Sequence, residues 1–309
     1  MENAGFYKGK RVLITGASGL IGSHLLNAII KTGAQVRAVI HNKPAQVILS
    51  GIEYVKADLM VKEECEKVVK DIDYVFHTAA QSFGAKIMRD NPKVLVTPNM
   101  IMNTRLLDAS SAGVKRFLFV SSNTVYPVLD RPAKESDANG DFFELYVGVA
   151  TVKYFTEKLC DFYTKKCGMP CIMIRPANFY GPYDKVGEGS HVIPALIQRA
   201  LKKESPFTVW GTGDNVKDFL YAEDVANYMV ECMASGETGA INIGSGKGYT
   251  IKEIVKSILE IAGYNGEVVY DSTKPDAIKY RVLESRFSEK TSLKEGLRKT
   301  ISWYKELAL

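Results

Sequence analysis

Three observations predict an α/β fold, a doubly wound parallel sheet covered by helices on both faces, followed by a smaller α/β unit. Short apolar, β-branched runs alternate strictly with amphipathic stretches through the first half of the chain. A glycine-rich turn joins the first run to the first amphipathic stretch, the order strand, turn, helix. The third is length, since 309 residues bury a large core and leave room for a second, intimately joined unit.

The first strand spans Val12 to Thr15. Gly16, Gly19 and Gly22 follow at three-residue intervals, and an amphipathic helix runs from about Leu20 to Lys31. Further strands are expected at Val36 to Ile40, Ile52 to Ala57, Tyr74 to His77, Phe117 to Ser121 and Cys171 to Arg175. Helices are expected near Glu63 to Val69, Pro98 to Ala112 and Tyr146 to Cys167. Later come helices at Val192 to Leu201 and Ile251 to Ala262 and a strand at Ala240 to Ile243. Residues 1–176, with about 214–245 returning to them, are expected to form a Rossmann domain, which this order of strand, glycine turn and helix marks as dinucleotide-binding; about 177–213 and 246–309 are expected to form the smaller substrate domain.

Composition narrows the class. A hydrophobic content of 46% with 24% charged residues is ordinary for a soluble globular protein, and a net charge of +5 suggests at most an affinity for small anions, not nucleic acid. No run of 18 apolar residues and no signal-peptide core are found, which points to a cytoplasmic protein without membrane association. Five cysteines, an odd number, read as free thiols, and four scattered histidines offer no metal site.

The glycine turn carries the first functional expectation. Gly16 permits the sharp turn, Gly19 lets backbone approach a pyrophosphate, and Gly22 lets the helix pack close. The helix N-terminus then faces the phosphates with unpaired N–H groups. The G-x-x-G-x-x-G spacing resembles the extended short-chain dehydrogenase/reductase family. That resemblance implies NAD, with NADP as the alternative, held by Gly16, Ser18, Gly19, Leu20, Ile21, Gly22, Asp58, Leu59, Ala79, Ala80, Lys153 and Pro176. At the end of the second strand the chain reads Ile40-His41-Asn42-Lys43, without the acidic residue that favours NAD. His41 and Lys43 are either holders of a 2′-phosphate or solvated loop residues.

Ser122, in the Ser-rich turn after the fifth strand, falls where the family presents a hydroxyl to the reacting sugar. The family's Tyr-x-x-x-Lys should follow. Tyr154 and Lys158 match it naively, but the spacing from Lys153 to Pro176 is the one that resembling enzymes show, which makes Lys153 the family lysine and Val149 the tyrosine position. Valine carries no proton, so the base lies among Lys153, Ser122 or Thr124 through water, and Tyr146.

Segments at 175–184, 190–197, 209–213 and 217–220 and Lys274-Pro275-Asp276 resemble the GDP-L-fucose synthase branch of the family. The resemblance implies a GDP-sugar between the domains, contacted by Asn178, His191, Val192, Leu196, Arg199, Trp210 and Lys217, although Trp210 as core and Lys217 as a solvated charge are the plainer readings of those two residues alone. His191 matches the branch's epimerising histidine, while Thr124 stands at its cysteine and is a poor base for a carbon-bound proton. The expectation is an NAD(P)-dependent oxidoreductase acting at C4 of a GDP-linked hexose or heptose, with Ser122, Thr124 and Lys153 as its catalytic group. The alternatives are a redox-neutral epimerase or 4,6-dehydratase and a non-catalytic binding protein. A homo-oligomer is expected by analogy alone.

Overall fold

The computed structural model describes residues 4–82, 90–187, 189–273 and 278–307. Six strands, β1 (Arg11–Thr15), β2 (Gln35–Ile40), β3 (Ile52–Lys56), β4 (Tyr74–His77), β5 (Arg116–Val120) and β6 (Cys171–Pro176), are joined by Gly239–Ile243 into one seven-stranded sheet. Its order is Gly239–Ile243, β6, β5, β4, β1, β2, β3, and every neighbouring pair is parallel. The chain runs outward from β1 to β3 and then returns to place β4 against β1. That reversal opens a crevice at the carboxyl ends of β1 and β4, where sheets of this kind bind ligands.

Both faces are covered. Val12 and Ile14 point into one apolar cluster with Leu25, Phe76, Leu118, Ile174 and Met229, while Leu13 between them points into the other with Val75, Phe117, Phe119 and Cys160. This alternation explains why the central strands read as unbroken apolar runs. The helix Ala222–Ala234 lies against Leu20–Ile29 on the first face.

The smaller unit has its own core, including Ile193, Ile197, Phe207, Ile254, Ile258, Leu297 and Ile301. Around it lie three short sheets: Asn178–Tyr180 with Phe219–Tyr221, Phe207–Trp210 with Val268–Asp271, and Val216–Lys217 between Tyr249–Thr250 and Tyr280–Arg281. Phe287, late in the chain, nonetheless packs into the first cluster of the large sheet.

One expectation needs correction, and two helices are new. The helix expected from Pro98 begins at Lys93 and keeps Pro98 inside it. Leu95, 2% exposed, anchors that extra turn in the fold, which outweighs the backbone bond that proline cannot make. Helices at Ala222–Ala234 and Leu293–Glu306 were not anticipated. Among the described residues no helix is long and apolar enough to cross a membrane, and all five cysteines are free, only Cys167 being exposed.

Candidate active site

The glycine turn is shaped by close approach. Gly16 has φ 69°, and a Cβ there would lie 2.7 Å from the Ala79 backbone. A Cβ on Gly22 would collide with the Gly16 carbonyl and sit 2.9 Å from Ala17 Cα, so the helix rests directly on the turn. Gly19 caps the helix with no side-chain bond to its first N–H groups, leaving the amides of that first turn directed outward for an anion. These features fit the pyrophosphate of a dinucleotide. Ser18 is tied in by Gln46, whose amide donates to the carbonyls of Ser18 (3.0 Å) and Tyr183 (2.9 Å). That one side chain links the turn to the segment leading into the smaller unit.

Asp58, just past β3, accepts from the Met60 amide at 2.9 Å, and the exposed His41 leans on its carboxylate at 3.9 Å. Leu59 beside it is buried. Lys43 is exposed and lies within electrostatic reach of Lys185, whose pKa is lowered by burial first and by this like charge second.

Beneath the turn runs a buried chain of hydrogen bonds. The Ala79 amide donates to Thr15 Oγ1 (3.2 Å), Thr15 pairs with His77 Nδ1 (2.8 Å), and His77 Nε2 pairs with Asn103 Oδ1 (2.8 Å). Asn103 donates to Thr156 (3.1 Å), which donates to the Val152 carbonyl (2.8 Å). Burial, with a contribution from the nearby Lys153 charge, pushes His77 down to about 4. It is therefore neutral near pH 7, with Nε2 the donor and Nδ1 the acceptor. The chain couples the floor beneath a coenzyme to the helix that carries Lys153.

Lys153 sits on the Val147–Lys166 helix, its ammonium donating to the Val120 carbonyl at 2.7 Å and lying 4.7 Å over the Phe119 ring. Burial pushes it down to about 8, opposed by the Glu157 carboxylate. Two residues after Val120, Ser122 Oγ accepts from the Thr124 amide (3.1 Å) and hydroxyl (3.0 Å), so all three expected catalytic residues are gathered at the end of β5. Val149 lies one helical turn before Lys153. The naive pair is elsewhere: Lys158 is exposed over the Tyr154 ring, and Tyr154 packs with Val125 and Leu283.

The same corner is braced from below. Glu157 accepts from Ser121 (2.5 Å) and, through both oxygens, from Arg175 (2.9 and 2.6 Å). Arg175 also donates to Tyr126 Oη (3.0 Å), which donates to Asn242 (2.5 Å). Both charges are almost fully buried, a geometry that is stable only because every partner is present. Pro176, next in β6, is buried and pairs with Ile243.

The substrate-side residues divide. Asn178 donates to the Asp218 carbonyl (3.0 Å), and Val192 and Trp210 are exposed, Trp210 by 51%. His191 is held by Asp184, whose carboxylate accepts from Nδ1–H at 3.1 Å, leaving Nε2 towards the Ser82 hydroxyl at 3.3 Å. Leu196 is packed in the smaller core, and Arg199 is engaged by Glu204 (2.6 Å) and stacked over Phe207. Lys217 lies on the short strand paired with Tyr280–Arg281. Lys274, Pro275 and Asp276 lie outside the described residues.

Two further residues escaped the sequence reading. Asp184, seven residues before His191 across an irregular loop, gave no signal beyond being an acid near a histidine. Arg281, in a two-residue strand, gave none at all.

Comparison with known proteins agrees with this geometry. The model of the NAD dependent epimerase/dehydratase family matches residues 12–244. A GDP-L-fucose synthase of Sinorhizobium fredii is 33% identical, with 94% of each chain covered. The crystal structure of a Thermotoga maritima UDP-glucose 4-epimerase with UDP-glucose has a TM-score of 0.88 at 27% identity, covering 97% of this chain and 100% of that one. A Thermus thermophilus UDP-glucose 4-epimerase in complex with NAD has a TM-score of 0.85 at 25% identity, covering 96% and 99%.

Proposed function

The chain belongs to the NAD dependent epimerase/dehydratase family and binds NAD(P) as an enzyme of that kind; from that premise we propose that it is an oxidoreductase transferring a hydride at C4 of a GDP-linked hexose or heptose, oxidation being the favoured direction. The GDP-sugar assignment draws support from the Sinorhizobium relative, whose name specifies such a compound. The single observation that carries the reaction is the gathering at the end of β5 of Lys153, whose ammonium donates to the Val120 carbonyl, with the Ser122 and Thr124 hydroxyls; the resemblance makes Val149 the position of the family's phenol.

A bound nicotinamide supplies the hydride acceptor. The residues supply positioning and proton transfer: Ser122 and Thr124 orient the C4 hydroxyl, and Lys153 in its amine form takes the hydroxyl proton. A base whose pKa lies near the working pH combines an adequate population with adequate strength. Holding C4 against the nicotinamide supplies much of the rate. The buried hydrogen-bond chain through His77 and Asn103 and the Glu157–Arg175 pair keep the lysine helix in register with the coenzyme floor.

The test is incubation with NAD and a panel of GDP-hexoses and GDP-heptoses, followed by absorbance at 340 nm and NMR of the products. Net NADH formation that falls at least about a hundredfold in Lys153→Ala is expected. Unchanged coenzyme with an inverted or dehydrated sugar supports the redox-neutral reading instead, which the buried Asp184 behind His191 favours. Tight binding without turnover on any sugar supports a binding protein.

A further inference from the structure

Arg281 is 5% exposed, and its guanidinium is only half used. Nη1 donates to the carbonyls of Asn123 (3.1 Å) and Tyr126 (3.0 Å), the two ends of the turn that carries Thr124. Nη2 is buried and meets no hydrogen-bond acceptor among the described residues. A buried charged donor left without a partner is costly, and persists where something else completes it.

The surroundings say what that is. Arg281 is the register partner of Lys217 on the adjacent parallel strand, and paired residues project from the same face of a sheet. On its other side Arg281 grips the turn next to Ser122, and it lies within electrostatic reach of Tyr146 at the start of the Lys153 helix. It therefore stands between the cation offered to a diphosphate and the hydroxyls offered to C4. The part of a nucleotide sugar that spans that interval is the sugar ring.

We propose that Arg281 is a specificity-determining residue that donates through Nη2 to an oxygen substituent of the sugar ring beside C4, while Nη1 holds the Ser122–Tyr126 turn. The proposal rests on the GDP-sugar reading above. Its ligand class is a hexose or heptose with a hydroxyl or carbonyl oxygen next to the reacting carbon. A nucleotide without its sugar gains nothing from this arm.

The experiment compares GDP and GDP-mannose as probes, by calorimetric titration of the NAD-loaded protein, in wild type and Arg281→Lys. The lysine keeps one cationic donor for the turn carbonyls and removes the second arm. Wild type should bind GDP-mannose more tightly than GDP, and Arg281→Lys should lose roughly ten- to hundredfold in affinity for GDP-mannose alone. Unchanged NAD and GDP affinity in the variant shows that the fold survives. An unaltered preference in Arg281→Lys, or a wild type that binds the two probes equally, overturns the role of Arg281. A wild type that binds neither probe overturns the GDP-sugar reading itself.

Discussion

Replacing Lys153 by methionine should stabilise the protein and disable it together. Burial lowers the ammonium from 10.5 to about 8, so keeping it charged in the fold costs on the order of 3 kcal/mol, at about 1.4 kcal/mol per pH unit. Methionine escapes that cost but forgoes the bond to the Val120 carbonyl, worth about 1 kcal/mol. The net gain is on the order of 2 kcal/mol, or about 4 °C in Tm. The sign follows from proton counting. The unfolded lysine keeps its proton up to 10.5 and the folded one only to about 8, so the gain is full below pH 8 and shrinks as pH rises towards 10.5. Thermal melts of both proteins at pH 7 and at pH 10 measure it, alongside a loss of turnover of at least about a hundredfold. A methionine variant no more stable than its parent at pH 7, or a gap of equal size at both pH values, would refute the idea that this site stores a strained charge for use as a base.

Two other substitutions probe the frame around that lysine. Gly22→Ala places a methyl group against the Gly16 carbonyl and Ala17, which should push the helix off the turn and weaken NADH binding at least about tenfold, by analogy with other backbone close approaches; fluorescence titration of NADH checks it, and wild-type affinity counts against it. Val149→Tyr should leave coenzyme binding intact and either raise the rate of hydride transfer or leave it alone. Loss of coenzyme binding in that variant would count against Val149 as the position of the family's phenol.

The sequence disclosed those parts of the molecule whose physics is local. Val12 to Gly22 combines a buried strand, a positive-φ glycine and a helix start within eleven contiguous residues, so its form and its ligand could be read together. Lys153 was separable from the decoy Lys158 through its spacing to Pro176, which is the one that resembling enzymes show. Other features depend on partners distant in the chain. Gly296 looks like a helix breaker, yet it lies inside Leu293–Glu306 because any Cβ there would strike the Tyr180 hydroxyl. Ala222–Ala234 is buried around most of its circumference, which erases the one-sided pattern that betrays a surface helix. Arg281 gains its meaning only from a carbonyl 158 residues away, and the engagement of Arg199 by Glu204 is equally invisible before the turn between them is drawn.

The mooring of Lys153 bears on how such a site changes over evolutionary time. A strand carbonyl holds the ammonium, and the Glu157–Arg175 pair grips the same helix from beneath. None of these ties runs through the side chain of residue 149, a valine whose isopropyl group has no atom able to form a hydrogen bond. That corner can thus carry an aliphatic side chain or an aromatic alcohol while the scaffold stays put. Chemistry at this position is interchangeable hardware, and descendants of one ancestor can diverge in reaction without first diverging in architecture.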